Sequence, residues 1–189
     1  MKKQIQTSLR MFIAFTVVLG VIYPLAGLLV GQLGFQKQAN GSLVVVNHRV
    51  VGTPMLAQAT QDAKWFEPRP SAVGYSGLVS GASNLALSNP ALFRSMKERA
   101  IQYRKENGLG HTSAVPIDAI TTSGSGLDPD VSLMNAYDQA PRVAKAQNLS
   151  LSVVHGLIRR ATTEAIVGIM SQEYVNTVSL NIAIYQLKH

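Results

Sequence analysis

Between Met11 and Gln36 the chain carries no charged residue over 26 positions, and most of those positions are Phe, Ile, Val, Leu, Ala or Gly. At about 1.5 Å of rise per residue, a helix of this length reaches about 39 Å, more than the roughly 30 Å hydrocarbon core of a bilayer. A run of this length and character reads as a membrane span. It therefore decides which side of a membrane the remaining residues can occupy.

The run also has a pattern. On a helical wheel of about 100° per residue, Ile13, Thr16, Gly20, Pro24, Gly27, Gly31 and Gly34 share a stripe about 80° wide. In lipid, apolar burial does not pair helices, because the lipid tails are as apolar as Leu; close backbone approach does, and small residues permit it. Thr16, Gly20, Pro24, Gly27, Gly31 and Gly34 are therefore the candidate helix-packing residues. The plainer reading is that Gly is common in membrane helices. Pro24 lacks an N–H and crowds the carbonyl of Gly20, which predicts a bend over residues 20–23.

The flanks set an expected orientation. Lys2, Lys3 and Arg10 precede the run without any acid, whereas Lys37 is the sole charge between it and Arg49. The more basic flank stays in the cytoplasm by the positive-inside rule. A cleaved signal peptide would have a shorter apolar region ending in small residues of the A-x-A kind, a pattern missing here. The expected organisation is a short cytoplasmic N-terminus over residues 1–10, a transmembrane helix over 11–36, and one extracytoplasmic domain over 37–189. Its fold class is α+β, a single mixed α/β domain behind one N-terminal membrane helix.

Composition narrows the chemistry. There is no Cys, which excludes thiol catalysis, a disulfide scaffold and the common zinc-finger layouts. The formal charge of +7 divides into +3 ahead of the run and +4 beyond it. The basic residues beyond it are dispersed, as on a solvated mixed surface, and no nucleic-acid partner is expected.

Beyond the span, Asn40-Gly41-Ser42 reads as a turn and Leu43–Val46 as a strand. Asn47-His48-Arg49 is a second turn and residues 50–52 a returning strand, which makes a hairpin with His48 at its tip. Residues 53–63 show no pattern. Pro68 and Pro70 enforce an extended backbone over Trp65–Ala72, with Trp65 expected to anchor it to the core. Arg69, between the prolines, either fastens the loop by hydrogen bonds or offers a charge to a partner.

Residues 74–90 form a Gly/Ser/Asn loop. Ser88 or Asn89 can cap a helix with Pro90 in its first turn, running to about Asn107 and stopped by Gly108. Its expected core stripe is Phe93, Met96, Ala100 and Tyr103, with Arg94, Lys97, Glu98 and Lys105 in water. The chain has no Gly-Lys pair, so the loop is not a P-loop. Val115–Asp118 reads as extended and residues 121–127 as a loop. Asp128 and Pro129 are expected to open a helix ending near Gln139, with Pro141 starting a separate segment over 142–147. Ser150 caps a further helix to about Thr162. Residues 174–179 read as a strand and 180–187 as a closing helix.

Catalytic signatures are missing. There is no H-E-x-x-H and no G-x-S-x-G. His48, His111, His155 and His189 are scattered, and the ten carboxylates make no cluster.

Several stretches then fall into one order: Ala39-Asn40-Gly41-Ser42-Leu43, Arg69-Pro70-Ser71-Ala72, Ser83-Asn84-Leu85-Ala86 with Ser88-Asn89-Pro90, and Val115-Pro116. They continue with Thr122-Ser123-Gly124-Ser125-Gly126-Leu127-Asp128-Pro129, Arg142-Val143-Ala144, and Val175-Asn176 with Leu180-Asn181. With the basic N-terminus and single span, this order resembles the C subunit of the bacterial Kdp-type potassium-transporting P-type ATPase over nearly the whole chain. The chain departs from that pattern at Ala82, where the family often has Gly, and at Ala57-Gln58, where it often has Gly-Gln.

The resemblance implies a bacterial cell-membrane complex that imports potassium at the cost of ATP. Its partners would be a channel-like potassium-selective subunit, a P-type ATP-hydrolysing subunit and a very small single-span subunit. ATP and potassium would be handled by the complex, with no cofactor held by this chain. The family's C subunit is associated with assembly and with raising the pump subunit's nucleotide affinity. With the domain outside and ATP in the cytosol, that effect would be indirect. Asn40, Arg69, Ser83, Asn84, Asn89, Ser125, Asp128 and Arg142 are the candidate partner-facing or loop-fixing residues. The competing readings are an anchored extracytoplasmic enzyme and a free-standing scaffold domain.

Overall fold

Residues 2–34 form one unbroken helical rod in the computed structural model, which describes residues 2–60, 62–164 and 172–187. The rod comprises α1 (Lys2–Val17), a five-residue π segment (Val18–Ile22) and α2 (Tyr23–Gly34). It is long and apolar enough to cross a membrane, with a mean hydropathy of 2.4 over its most apolar 18 residues. The irregularity expected from Pro24 takes the form of the π segment: the N–H of Tyr23 reaches the carbonyl of Val18. Widening the turn ahead of Pro24 relieves the crowding between its ring and the preceding carbonyl.

Phe35 ends the rod by leaving helical geometry (φ −139°, ψ 41°), although its N–H still bonds Gly31 O at 2.9 Å. A single turn, α3 (Gln36–Ala39), follows. Asn40 closes it by donating to Gln36 O (2.7 Å) and to the side chain of Gln32 (3.2 Å).

The chain divides into two compact units after Leu43. The second is the mixed α/β unit that the sequence leads one to expect. It opens with a hairpin of β1 (Val44–Val46) and β2 (Arg49–Gly52), with Val46 opposite Arg49. Asn47 and His48 at its tip have φ of 49° and 61°, the left-handed pair that a tight two-residue hairpin turn requires. Arg49 thus belongs to the strand rather than to the turn.

A second sheet is antiparallel and has the order β3 (Asp130–Ser132), β5 (Tyr174–Asn176), β4 (Thr162–Thr163). Against it pack α6 (Leu133–Gln147), α7 (Leu151–Ala161) and α8 (Thr177–Gln186). The core joins Phe66, Val131, Val143, Val154, Ile158, Val175, Leu180 and Ile184. The buried face of α6 includes Ala136, Ala140, Val143 and Ala144 at helical spacing, and its small side chains let α7 approach closely. Ahead of these lie α4 (Pro90–Glu106) and the single turn α5 (Ile117–Ile120).

Several sequence expectations are corrected. Asp128 and Pro129 do not open a helix. They lead into β3, and α6 begins at Leu133, capped by Ser132, whose Oγ accepts from Asn135 N at 3.2 Å. Pro141 does not divide α6. It lies on the exposed side, while Ala140 and Val143 on either side of it are held in the same core. Ile117 and Asp118 are helical rather than extended, with Thr121 N bonding Ile117 O at 3.0 Å. The strand at 174 ends at Asn176, because Asn176 caps α8 by accepting from Ser179 N at 2.9 Å. Trp65 packs against the core while only partly covered, and the fully buried Phe66 beside it anchors the proline segment more deeply. Phe93 projects from α4 instead of joining the core, because Tyr103 and the half-buried Met96 and Ala100 form the inward side.

Candidate functional site

The segment 63–71, which leaves a turn closed by Trp65 N on Asp62 O (3.0 Å), lies among side chains that satisfy its backbone one residue at a time. Asn181, from α8, accepts from Phe66 N (2.8 Å) and donates to Phe66 O (2.9 Å). Gln139, from α6, accepts from Glu67 N (2.7 Å) and donates to Glu67 O (3.1 Å). Gln147, two turns on, donates to Lys64 O at 2.8 Å.

Arg142 completes this clamp. Nη1 donates to the carbonyls of Ala63 and Trp65 (both 3.0 Å), Nε to Asn107 Oδ1 (2.9 Å) and Nη2 to Gln139 Oε1 (2.9 Å). Its guanidinium also lies 3.6 Å from the Glu67 carboxylate, and its side chain is 8% exposed. Five donors in a fixed fork can serve this many acceptors; a lysine ammonium could not. Burial pushes the Glu67 carboxyl above the usual carboxylate range. Arg142 opposes that shift and Glu106 adds to it.

The clamp continues into the protein. Gln139 donates to Asn135 Oδ1 (2.8 Å), which also accepts from the Tyr103 hydroxyl (2.9 Å). Asn135 donates to Asp118 at 3.0 Å, and Asp118 accepts from both the N–H and the hydroxyl of Ser132. Burial raises the Tyr103 phenol far above its ordinary value, so it stays a neutral donor.

A second cluster fixes the loops. Arg69 contacts Asp128 at 3.2 Å and Thr121 at 3.4 Å, contacts that tie the proline segment to the two loops. Ser71 donates to Gly126 O (2.6 Å) and accepts from Val73 N and Tyr75 N. The carbonyl of Ser125 accepts from Gly81 N (2.9 Å) and Ser80 Oγ (3.1 Å). Gly126 has φ +70°, and a Cβ there would stand 2.5 Å from Val73 Cγ2 and 2.8 Å from Gly81 O. The close approach of two loops therefore requires glycine.

Among the sequence candidates, the structure brings Arg69, Ser125 and Asp128 into this one cluster. Arg142 lies in the clamp. Ser83 is half-buried in the neighbouring loop, and Asn84 is exposed with φ 51°. Asn89 caps α4 by accepting from Ala91 N at 3.0 Å. Asn40 belongs to the first unit. On the rod, Thr16 donates to Phe12 O at 2.8 Å, Gly20 lies in the π segment, and Pro24, Gly27, Gly31 and Gly34 lie in α2. A Cβ at Gly20, Gly27 or Gly34 would meet nothing within 4 Å.

Sequence reasoning missed Gln139, Asn135, Gln147 and Asp118. The available signal was polar: Asn135, Gln139 and Gln147 share the face of α6 that carries its buried alanines, where amides need internal partners.

Two cavities flank the clamp. One, about 280 Å³, has apolar walls from Val51, Trp65, Phe66, Val178 and Ile182. The other, about 220 Å³, lies between Glu67, Tyr75, Arg99 and Tyr103. Among the described residues no three His, Asp or Glu side chains converge as metal ligands. His48 and His111 are exposed, His155 meets Tyr137 edge to face at 5.0 Å, and His189 lies outside the described residues. The polar groups of the clamp are occupied in holding backbone and one another.

The family model described as "KdpC: K+-transporting ATPase, c chain" matches residues 5–186. The chain is 44% identical over 189 residues to the potassium-transporting ATPase KdpC subunit of Mycobacterium tuberculosis (strain ATCC 25618 / H37Rv), covering 99% of this chain and 100% of that one. It is 40% identical over 189 residues to the same subunit of Janthinobacterium sp. (strain Marseille), covering 98% and 100%. The subunit of Yersinia enterocolitica is 38% identical over 188 residues, covering 98% and 94%.

Proposed function

The chain belongs to the KdpC family of K+-transporting ATPase c chains, and from that premise we propose that it is a membrane-anchored, non-catalytic subunit of a bacterial ATP-driven potassium-uptake complex. The observation that carries the reading is the family match over residues 5–186, which takes in both the apolar rod and the mixed α/β unit. The rod is the single membrane span of a cell-membrane protein. Its basic end lies in the cytoplasm, and the domain beyond the span lies outside.

The partners are a channel-like potassium-selective subunit, a P-type subunit that hydrolyses ATP, and a small single-span subunit. Chemistry on ATP and selection of potassium belong to those partners. This chain stabilises the assembly and raises the pump subunit's nucleotide affinity only indirectly. The internal employment of Arg69, Asp118, Asn135, Gln139 and Arg142 supports a bracing role, since a rigid domain loses little entropy on docking.

The test is affinity purification of the tagged full-length chain from bacterial membranes in mild detergent. A P-type ATPase retained with it, and potassium-stimulated ATP hydrolysis that falls when this chain is omitted, are the expected results. A chain that purifies alone, with hydrolase activity of its own, would overturn the reading.

A further inference from the structure

Phe93 falls on the stripe of α4 that the sequence assigns to the core, yet it is 56% exposed; Ile101, two turns later, is 58% exposed. Lys97 and Lys105 are also exposed. At four-residue spacing, Phe93, Lys97, Ile101 and Lys105 are successive surface neighbours about 5–6 Å apart. Leu87, two residues ahead of the Asn89 cap and 80% exposed, extends the apolar end, and Arg94 lies beside it.

The helix cannot turn this stripe inward. Its opposite side is pinned by Tyr103 to Asn135 and by Arg99 to Ile120 O (3.0 Å), while Arg104, on the stripe's own side of the helix, is bonded to Ser113 O (2.8 Å). Among the described residues, Arg94, Lys97 and Lys105 make no ion pair. From residue 68 to residue 97 the chain contains no acid; Glu98, which follows, lies one turn from Arg94 and from Ile101 but makes no ion pair among the described residues.

We propose that Leu87, Phe93, Lys97, Ile101 and Lys105 form the face on which this domain docks another polypeptide of the same ATPase, one presenting an apolar surface edged by Asp or Glu. The inference rests on the accessory-subunit reading and names the surface that serves it. Charge selects the occupant. Two copies of this chain meeting through the stripe would set lysines against lysines. A lipid surface requires a broad, continuous apolar face, and here cations interrupt it at every turn. An acid-edged protein surface satisfies both the apolar side chains and the free cations.

The experiment uses the full-length tagged chain co-produced with the other subunits. In Phe93→Ser/Ile101→Ser and in Lys97→Glu/Lys105→Glu, retention of the ATP-hydrolysing subunit should fall about tenfold. The unfolding midpoint should stay at the wild-type value, and Lys97→Arg/Lys105→Arg should retain its partners. A photo-crosslinking amino acid placed at Ile101 in the otherwise wild-type chain should label another subunit. Wild-type retention alongside equal retention by both disruptive variants overturns the docking face alone. A crosslink only to a second copy, or only to lipid, overturns it too, and this arm decides the matter should a variant unfold. Failure of the wild-type chain to retain any subunit instead strikes the accessory-subunit reading on which the inference stands.

Discussion

Asn181 and Phe66 form a closed two-bond pair: the side-chain amide both accepts the backbone N–H and donates to the backbone carbonyl of the same residue. That is the bonding a neighbouring β-strand would provide at a hydrogen-bonded position of an antiparallel ladder. Gln139 repeats it one residue later at Glu67. In extended chain, successive residues turn their backbone polar groups to opposite sides, so the two amides come from different helices, α8 and α6. The segment therefore has a strand's hydrogen bonds without a strand beside it.

Replacing Asn181 with Leu keeps the branched shape, in a somewhat larger side chain, and removes both bonds. Two backbone groups near the fully buried Phe66 then lose partners, a cost of about 2–4 kcal/mol. Denaturant titration of the full chain in mild detergent should show a lower midpoint for Asn181→Leu, with an exposed change such as Lys145→Gln unaltered. Equal midpoints would remove the clamp from the account of stability.

Gly126→Ala tests the loop crossing. The substitution adds a left-handed penalty at φ +70° and a clash with Val73 and the Gly81 carbonyl. A loss of about 2 kcal/mol or more is expected, read by the same titration. Gly77→Ala, where an added Cβ meets nothing within 4 Å, serves as the control with little loss.

Asp130 sets a pH dependence. Burial raises its carboxyl pKa above the usual range and Asp128 adds to this, against the hydrogen bond from Asn176 at 2.7 Å. An acid whose folded pKa exceeds its unfolded one holds its proton more tightly when folded. It therefore costs stability above the folded pKa, and that cost disappears as the pH falls below the unfolded value. Asp130→Asn keeps an acceptor for Asn176 without the charge. Its melting temperature should exceed the wild-type value near neutral pH, and the difference should close as the pH falls through the ordinary carboxylate range. A difference independent of pH would assign the effect to packing instead.

The glycine stripe gives a test in the membrane. Because an added Cβ at Gly27 meets nothing within 4 Å, Gly27→Leu should leave insertion and domain stability unchanged. Loss of co-purifying subunits would then report on helix packing against a partner. Full retention in Gly27→Leu and Gly31→Leu would show that the stripe faces lipid.

The sequence by itself determined the features that depend on neighbours along the chain. The uncharged run gives the rod, Asn40-Gly41-Ser42 the turn after it, Asn89-Pro90 and Ser150 the helix starts, and the ordered motifs the family. Each is a local preference of a few residues that tertiary packing has no reason to overrule. Tertiary structure decided the rest. Asp128 and Pro129 look like a helix start, but Asp128 is drawn to Arg69, far away in sequence, while the next three residues pair with β5. Pro141 looks like a break, but the core on both sides of it keeps α6 whole. Phe93 looks buried until Tyr103 and Arg99 fix the helix's rotation. The clamp joins residues 72 and 115 positions apart, so no local window contains it. Such bonds exist only once the chain has brought their partners together, because a buried amide or guanidinium is stable only where every polar group around it is matched.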